Sequence, residues 1–328
     1  MAPRKIALLL ALVLSCGIAW GQEPNLKLER TIPLPGVVGR IDHLTADLDS
    51  GRVLISALGN GSIEVVDLKR GQRVNEIRGL KEPQDILYLP QQRAFYVATG
   101  GDGMVRRYNG RTLSLTASIR LGTDADNLAY DHRTGNLVVG FGSGAIALLP
   151  LDLSSNKIEV RLPVHPERFE FTSDGSHLLV NLPDDRSVDL IDTAGLKIVA
   201  KWTHLGALGN FPMAVDPDSP RFFVACRAPA ELLELNERNG SVMQRIPTVG
   251  VADDLFYDPE RARIYVIGGG GYVDVVDAPK NGRLRSIEHV STAPGARTGL
   301  FVPAWNELLV AAPHRGVEPA RLLVYGLR

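Results

Sequence analysis

Cysteine is almost missing from this sequence: two occur in 328 residues, at positions 16 and 226. A disulfide-stapled scaffold is therefore excluded, and so is a thiolate metal cluster, which needs three or four such ligands. An excess of either charge is missing as well, since 36 Lys and Arg stand against 37 Asp and Glu. Electrostatic binders of phosphate backbones usually carry a visible basic excess, so nucleic acid is not expected as a partner. None of the seven histidines forms a His-x-x-x-His pair, and a zinc site would have to be assembled from distant segments. No Gly-x-Ser-x-Gly elbow is present either. The runs Gly268 to Gly271 and Gly100-Gly101-Asp102-Gly103 lack a following Gly-Lys-Ser/Thr and are read as tight turns rather than phosphate cradles. No amphipathic helical stretch of useful length appears anywhere.

The apolar run Ile6 to Ser15, preceded by Arg4 and Lys5, has the length of a secretory h-region and is too short to span a bilayer. Ala19-Trp20-Gly21 supplies small residues where cleavage requires them. Residues 1–21 are thus expected to be a signal peptide and 22–328 the mature chain. Leu12-Val13-Leu14-Ser15-Cys16 also has the form of a lipobox, in which Cys16 would be lipidated and become the first mature residue. Both routes lead to a periplasmic or extracellular protein, lipid-anchored in the second case, with no transmembrane span in the mature chain. After ordinary cleavage Cys226 stands alone, as a small apolar residue within a strand.

What the sequence does have is a period. Turn segments begin at Asp47, Leu89, Asp131, Thr172, Asp216, Asp258 and Val302, separated by 42, 42, 41, 44, 42 and 44 positions. Eight residues after each start stand Ile55, Val97, Val139, Val180, Val224, Val266 and Val310, β-branched in all seven cases. Such residues suit a packed, pleated surface, and their apolar flanks mark a buried strand. In the first unit the pattern predicts strands at His43 to Ala46, Val53 to Leu58, Ile63 to Leu68 and Arg73 to Ile77. Four short strands repeated at this spacing predict an all-β, seven-bladed β-propeller with four-stranded antiparallel blades. The seventh unit ends after its third strand, Arg321 to Tyr325, and Leu26 to Ile32 is expected to supply the missing outer strand and close the ring.

With the repeats in place, the chain resembles the YVTN-repeat, YncE-like group of exported bacterial β-propellers. The resemblance rests on Gly39-Arg40-Ile41-Asp42-His43, on Ala57-Leu58-Gly59-Asn60-Gly61-Ser62-Ile63-Glu64-Val65-Val66-Asp67-Leu68, and on Phe95-Tyr96-Val97-Ala98-Thr99, which stands where the name-giving tetrapeptide would. The tetrapeptide itself is not reproduced. What the resemblance implies is a seven-bladed fold, a periplasmic or extracellular address and a binding or scaffold role. Some members are associated with nucleic acid, which the charge balance here does not support.

Residues five and four before each turn marker should ring one mouth of the channel: Asp42/His43, Gln84/Asp85, Asp126/Asn127, Glu167/Arg168, Phe211/Pro212, Asp253/Asp254 and Arg297/Thr298, with Arg40 and His165 just outside. Convergent polar groups on a rigid scaffold suit a small ligand. The candidate ligand-binding set is Arg40, Asp42, His43, Asp85, Asp126, Asn127, Glu167, Arg168, Asp253, Asp254 and Arg297. A hard cation such as Ca²⁺ on Asp126, Asn127 and Asp254 is an alternative use of the same carboxylates. The expected role is non-catalytic binding by a monomer, of a small ligand at the mouth or of a protein partner at loops such as Pro183–Arg186 and Pro313–Gly316. The rival is a lactonase or lyase acting on a small molecule such as a sugar lactone, with His43 and Arg40 or Arg297 as its placed groups.

Overall fold

The computed structural model describes residues 24–328. The expected signal segment and Cys16 lie outside the described residues. Each repeat folds as a four-stranded antiparallel sheet, seven in all among the described residues. In the first, Leu44–Asp47, Arg52–Ala57, Ser62–Asp67 and Gln72–Arg78 run in order from channel to rim. These bounds differ by about one residue from the predicted ones. Leu58 leaves the second strand because Leu58–Asn60 form a 3₁₀ turn, which Gly61 ends at a φ of 67°. Glycine reaches that left-handed region without the steric cost a Cβ brings.

The seventh sheet joins the two ends of the chain. Its strands Thr298–Val302, Glu307–Ala312 and Arg321–Leu327 are completed by Leu26–Pro33, paired from Leu26 opposite Leu327 to Pro33 opposite Arg321 with one slip between Leu28 and Arg30. Leu26 and Ile32 are buried by this pairing. The edge that the last strand would expose is covered, as a closed ring requires.

The seven β-branched markers are fully buried. Each pairs across the inner ladder of its own blade, Ile55 with Leu44 and Val97 with Ile86, for example. Burial of one such side chain contributes about 1.5–3 kcal/mol. The core is a series of apolar layers between adjoining blades: Val53 and Ile55 of blade one pack with Leu309, Ala311 and Val324 of blade seven. Because every blade is buried on both faces, the inner-strand ends are held rigidly around the channel. No helix of the described residues is long and apolar enough to cross a membrane.

Candidate functional site

The inner ladders slip where the polar pairs stand. Register breaks fall between Pro83 and Ile86, Ala125 and Leu128, Asn210 and Met213, and Ala252 and Asp254. A bulge interrupts pairing and re-aims the side chains it carries. The first member of each pair from blades two to seven, Gln84, Asp126, Glu167, Phe211, Asp253 and Arg297, lines a funnel of about 300 Å³. Arg40, Asp124, His165 and Arg227 complete its wall.

The second members are absorbed by the ring. Asp85 accepts hydrogen bonds from its neighbour Ile86 N at 2.7 Å and from Leu128 N of the next blade at 2.7 Å. Asp254 accepts from Gly299 N of the next blade at 2.8 Å, and its other oxygen lies 3.3 Å from His43 Nδ1. Both carboxylates therefore latch one inner strand to the next. Asn127 is buried, and half-buried Arg168 bonds Glu170 through Nε at 2.9 Å and Nη2 at 2.6 Å. Burial works against the imidazolium of His43, but Asp254, Asp85 and Asp42 outweigh it and hold its pKa well above the usual range. A charged imidazole suits a counter-ion to these acids and not a general base.

The funnel wall is polarised. On one side Asp253 collects three arginines: Arg227 Nη2 bonds Oδ1, while Arg297 Nε at 2.8 Å and Arg40 Nη2 at 3.9 Å face Oδ2. Arg227 also donates to Ala252 O at 3.0 Å and lies over the Phe211 ring, 3.4 Å from its centroid. On the other side His165 stands between Asp124 and Asp126, 3.6 Å from each, with Nδ1 also 2.6 Å from Gly142 O. Burial opposes the charged ring, yet Asp126, the Gly142 carbonyl and Asp124 raise its pKa to about 9. Glu167 is pushed up to about 8 by burial and by Asp126, with His165 acting against them.

Asp42 is 1% exposed and lies behind the funnel wall, outside its lining. Neither of its oxygens accepts a hydrogen bond, although Arg40 Nη2 is 2.8 Å from Oδ2. The guanidinium is close without aiming an N–H at the carboxyl, so the contact is ionic only. Burial pushes Asp42 up to about 7 against the pull of His43 and Arg40, with Asp253 and Asp126 adding to the rise.

Arg227 and Asp124 escaped the sequence-based ring. Arg227 belongs to a second strand, Arg221–Ala228, three residues past the marker Val224. The same offset gives Leu58, Gly100, Gly142, Pro183, Gly269 and Pro313 in the other blades. A charge at this position occurs only in the blade whose own mouth pair, Phe211/Pro212, has none, and that was the available signal. Asp124 gave no comparable signal, because it stands just before its inner strand, Ala125–Asp131, outside the repeat position read for the ring.

The residues named for a cation are occupied otherwise. Asp254 bonds Gly299 and faces His43, and Asp126 faces His165. Among the described residues no three His, Cys, Asp or Glu converge as ligands.

No family profile matches the chain, and no curated protein matches it in sequence. Solved structures do. A chain of a mitotic checkpoint complex crystal structure is similar with a TM-score of 0.76 at 14% identity, covering 100% of this chain and 99% of that one. A chain of Kuenenia stuttgartiensis hydrazine synthase gives 0.75 at 16% identity, covering 85% and 95%. One belongs to a checkpoint assembly and the other to a hydrazine synthase, so the likeness speaks for the fold and not for an activity. By its sheet topology and by these likenesses, the chain is a seven-bladed β-propeller.

Proposed function

We propose that the chain is an exported, monomeric, YVTN-like propeller that acts as a non-catalytic binding module, holding a small polar ligand at its channel mouth. The observation behind this reading is the funnel itself, in which all seven blades set side chains into a single concave, largely ion-paired wall. Preorganised polar groups on rigid strand ends suit ligand recognition. Export rests on Arg4, Lys5 and the apolar run behind them, and cell fractionation of the tagged protein tests it. The binding role is tested by thermal unfolding of the purified protein against small polar compounds, with Ca²⁺ after EDTA as one member. A ligand confined to the folded state raises the midpoint. A rise lost in Arg227→Ala supports the funnel, whereas a rise unaffected by Arg227→Ala and Glu167→Gln moves binding elsewhere, with the blade-top loops and a protein partner the next candidates.

A second reading, lactone hydrolysis or elimination, is favoured by Glu167, an acid of the funnel wall raised to about 8. Groups poised near neutrality serve as general acids. A pH-stat assay over sugar lactones decides this: turnover abolished by Glu167→Gln supports catalysis, and the absence of turnover with any lactone removes it.

A further inference from the structure

The funnel continues outward into a cleft of about 620 Å³ between blades six, seven and one, sharing Arg40 and Arg297 with it. Its outer wall is formed by Pro313, His314 and Arg315 from the loop after Glu307–Ala312. That loop is tied by a mutual pair of backbone hydrogen bonds between Arg315 and Glu318, each 2.9 Å. The Glu318 carboxylate is engaged with Arg321 at 3.2 Å. Arg315 thus has no carboxylate partner among the described residues.

The guanidinium of Arg315 is nevertheless placed. It lies against Gly295, where an added Cβ would come within 2.8 Å of Nη2 and 2.9 Å of Nε. Gly295 also holds a φ of 83°, which side chains rarely adopt. The glycine leaves room for the guanidinium to approach the backbone closely.

Charge does not balance here. Among the described residues the direct ion-pair partners of Arg40, Arg227 and Arg297 are Asp42 and Asp253 and Arg315 has none, while Asp126 and Glu167 act on Arg40 and Arg227 from farther away. Arg297 meets Asp253 through Nε, and among the described residues its two terminal nitrogens enter no ion pair. A guanidinium fork of that kind matches a carboxylate or phosphate bidentately. Low-dielectric walls concentrate the excess positive potential inside a concave site. Val251, Pro313 and Gly269 give the cleft apolar walls as well, which an inorganic ion would leave unused.

We infer that the ligand of this mouth is an organic anion, its carboxylate or phosphate seated among Arg40, Arg297 and Arg315 and its body lying along the cleft toward the funnel. This rests on the binding reading above and names its ligand class. Isothermal titration of the purified protein with glucuronate, glucose 6-phosphate, glucose, glucosamine and inorganic phosphate, at fixed ionic strength, tests it. Glucuronate or glucose 6-phosphate should bind and the neutral and cationic sugars should not; the stronger of the two anions tells carboxylate from phosphate.

Arg315→Ala, an exposed loop change that leaves the core intact, should weaken the anionic sugar about tenfold, and Arg315→Lys should restore part of that. Gly295→Ala should weaken it too by displacing the guanidinium. Glucose or glucosamine binding as tightly as the anions would overturn the anion inference while leaving the binding reading intact. No binding by any compound would overturn the inference, with the broader compound screen left to judge the binding reading separately. Inorganic phosphate binding as tightly as the phosphorylated sugar would leave an adventitious ion only, and would overturn it too.

Discussion

Asp254 and Asp42 make an instructive pair. Both are almost out of water, at 5% and 1% exposure, and both stand at the head of an inner strand. Asp254 gives one oxygen to Gly299 N and the other to the His43 imidazole, so two partners offset the loss of hydration. Asp42 has no N–H directed at either oxygen and responds by holding its proton to about 7. Burial alone does not fix the state of a carboxyl; the donors aimed at it do. Asp254 latches two inner strands, whereas Asp42, which lines neither the funnel nor the cleft, does not.

The comparison breaks if the latch can be removed cheaply. Asp254→Ala leaves Gly299 N unpaired and His43 without its nearest counter-charge, and should lower stability by about 3–5 kcal/mol in urea unfolding. Asp85→Ala strands two N–H groups but no cation in direct contact, and a loss of about 1–3 kcal/mol is expected. Equal and negligible losses for both would end the latch assignment.

Asp42→Asn should act in the opposite direction. A carboxyl whose folded pKa lies above its unfolded value near 3.8 binds a proton more tightly when folded, so it weakens the fold as pH rises from about 4 to about 7. The amide removes that loss, so the variant should equal the parent near pH 4 and exceed it at pH 8, by about 1.4 kcal/mol for every tenfold by which folding tightens the hold on that proton. Glu167, raised to about 8, acts with the same sign, and Glu167→Gln should flatten the profile from about 4.5 to 8. His165 contributes stability below about 6.5 that is lost as pH passes about 9. Parent stability should therefore fall steadily across this range in pH-dependent unfolding. The smallest effect belongs to Arg227→Ala: its partner Asp253 keeps Arg297, and the midpoint should shift by under about 1 kcal/mol equivalent.

These distinctions were legible in the sequence only to a point. The spacing of Ile55, Val97 and their counterparts carried the seven sheets, because one buried β-branched residue per repeat is a constraint that packing between blades imposes on sequence directly. It also carried the closing strand Leu26–Pro33 and the side of the ring where the polar pairs gather. What it did not carry was the division of those pairs into wall and latch. Asp253 and Asp254 are adjacent and identical, and a register slip between Ala252 and Asp254 turns one to the funnel and the other to blade seven. Bulges leave no fixed signature in residue type. Arg227 entered the site through a neighbouring strand, a tertiary relation that only its unusual place in the repeat foreshadowed.

The slipped ladders at the mouth have one more effect. A side chain carried on a bulge takes little part in strand pairing, so exchanging it disturbs neither register nor the faces where blades meet. Positions such as Gln84, Asp126 and Phe211 are in that sense detachable from the framework that presents them. A lineage can change its cargo there by a handful of substitutions while its ring stays the same, and a designer can use the same freedom.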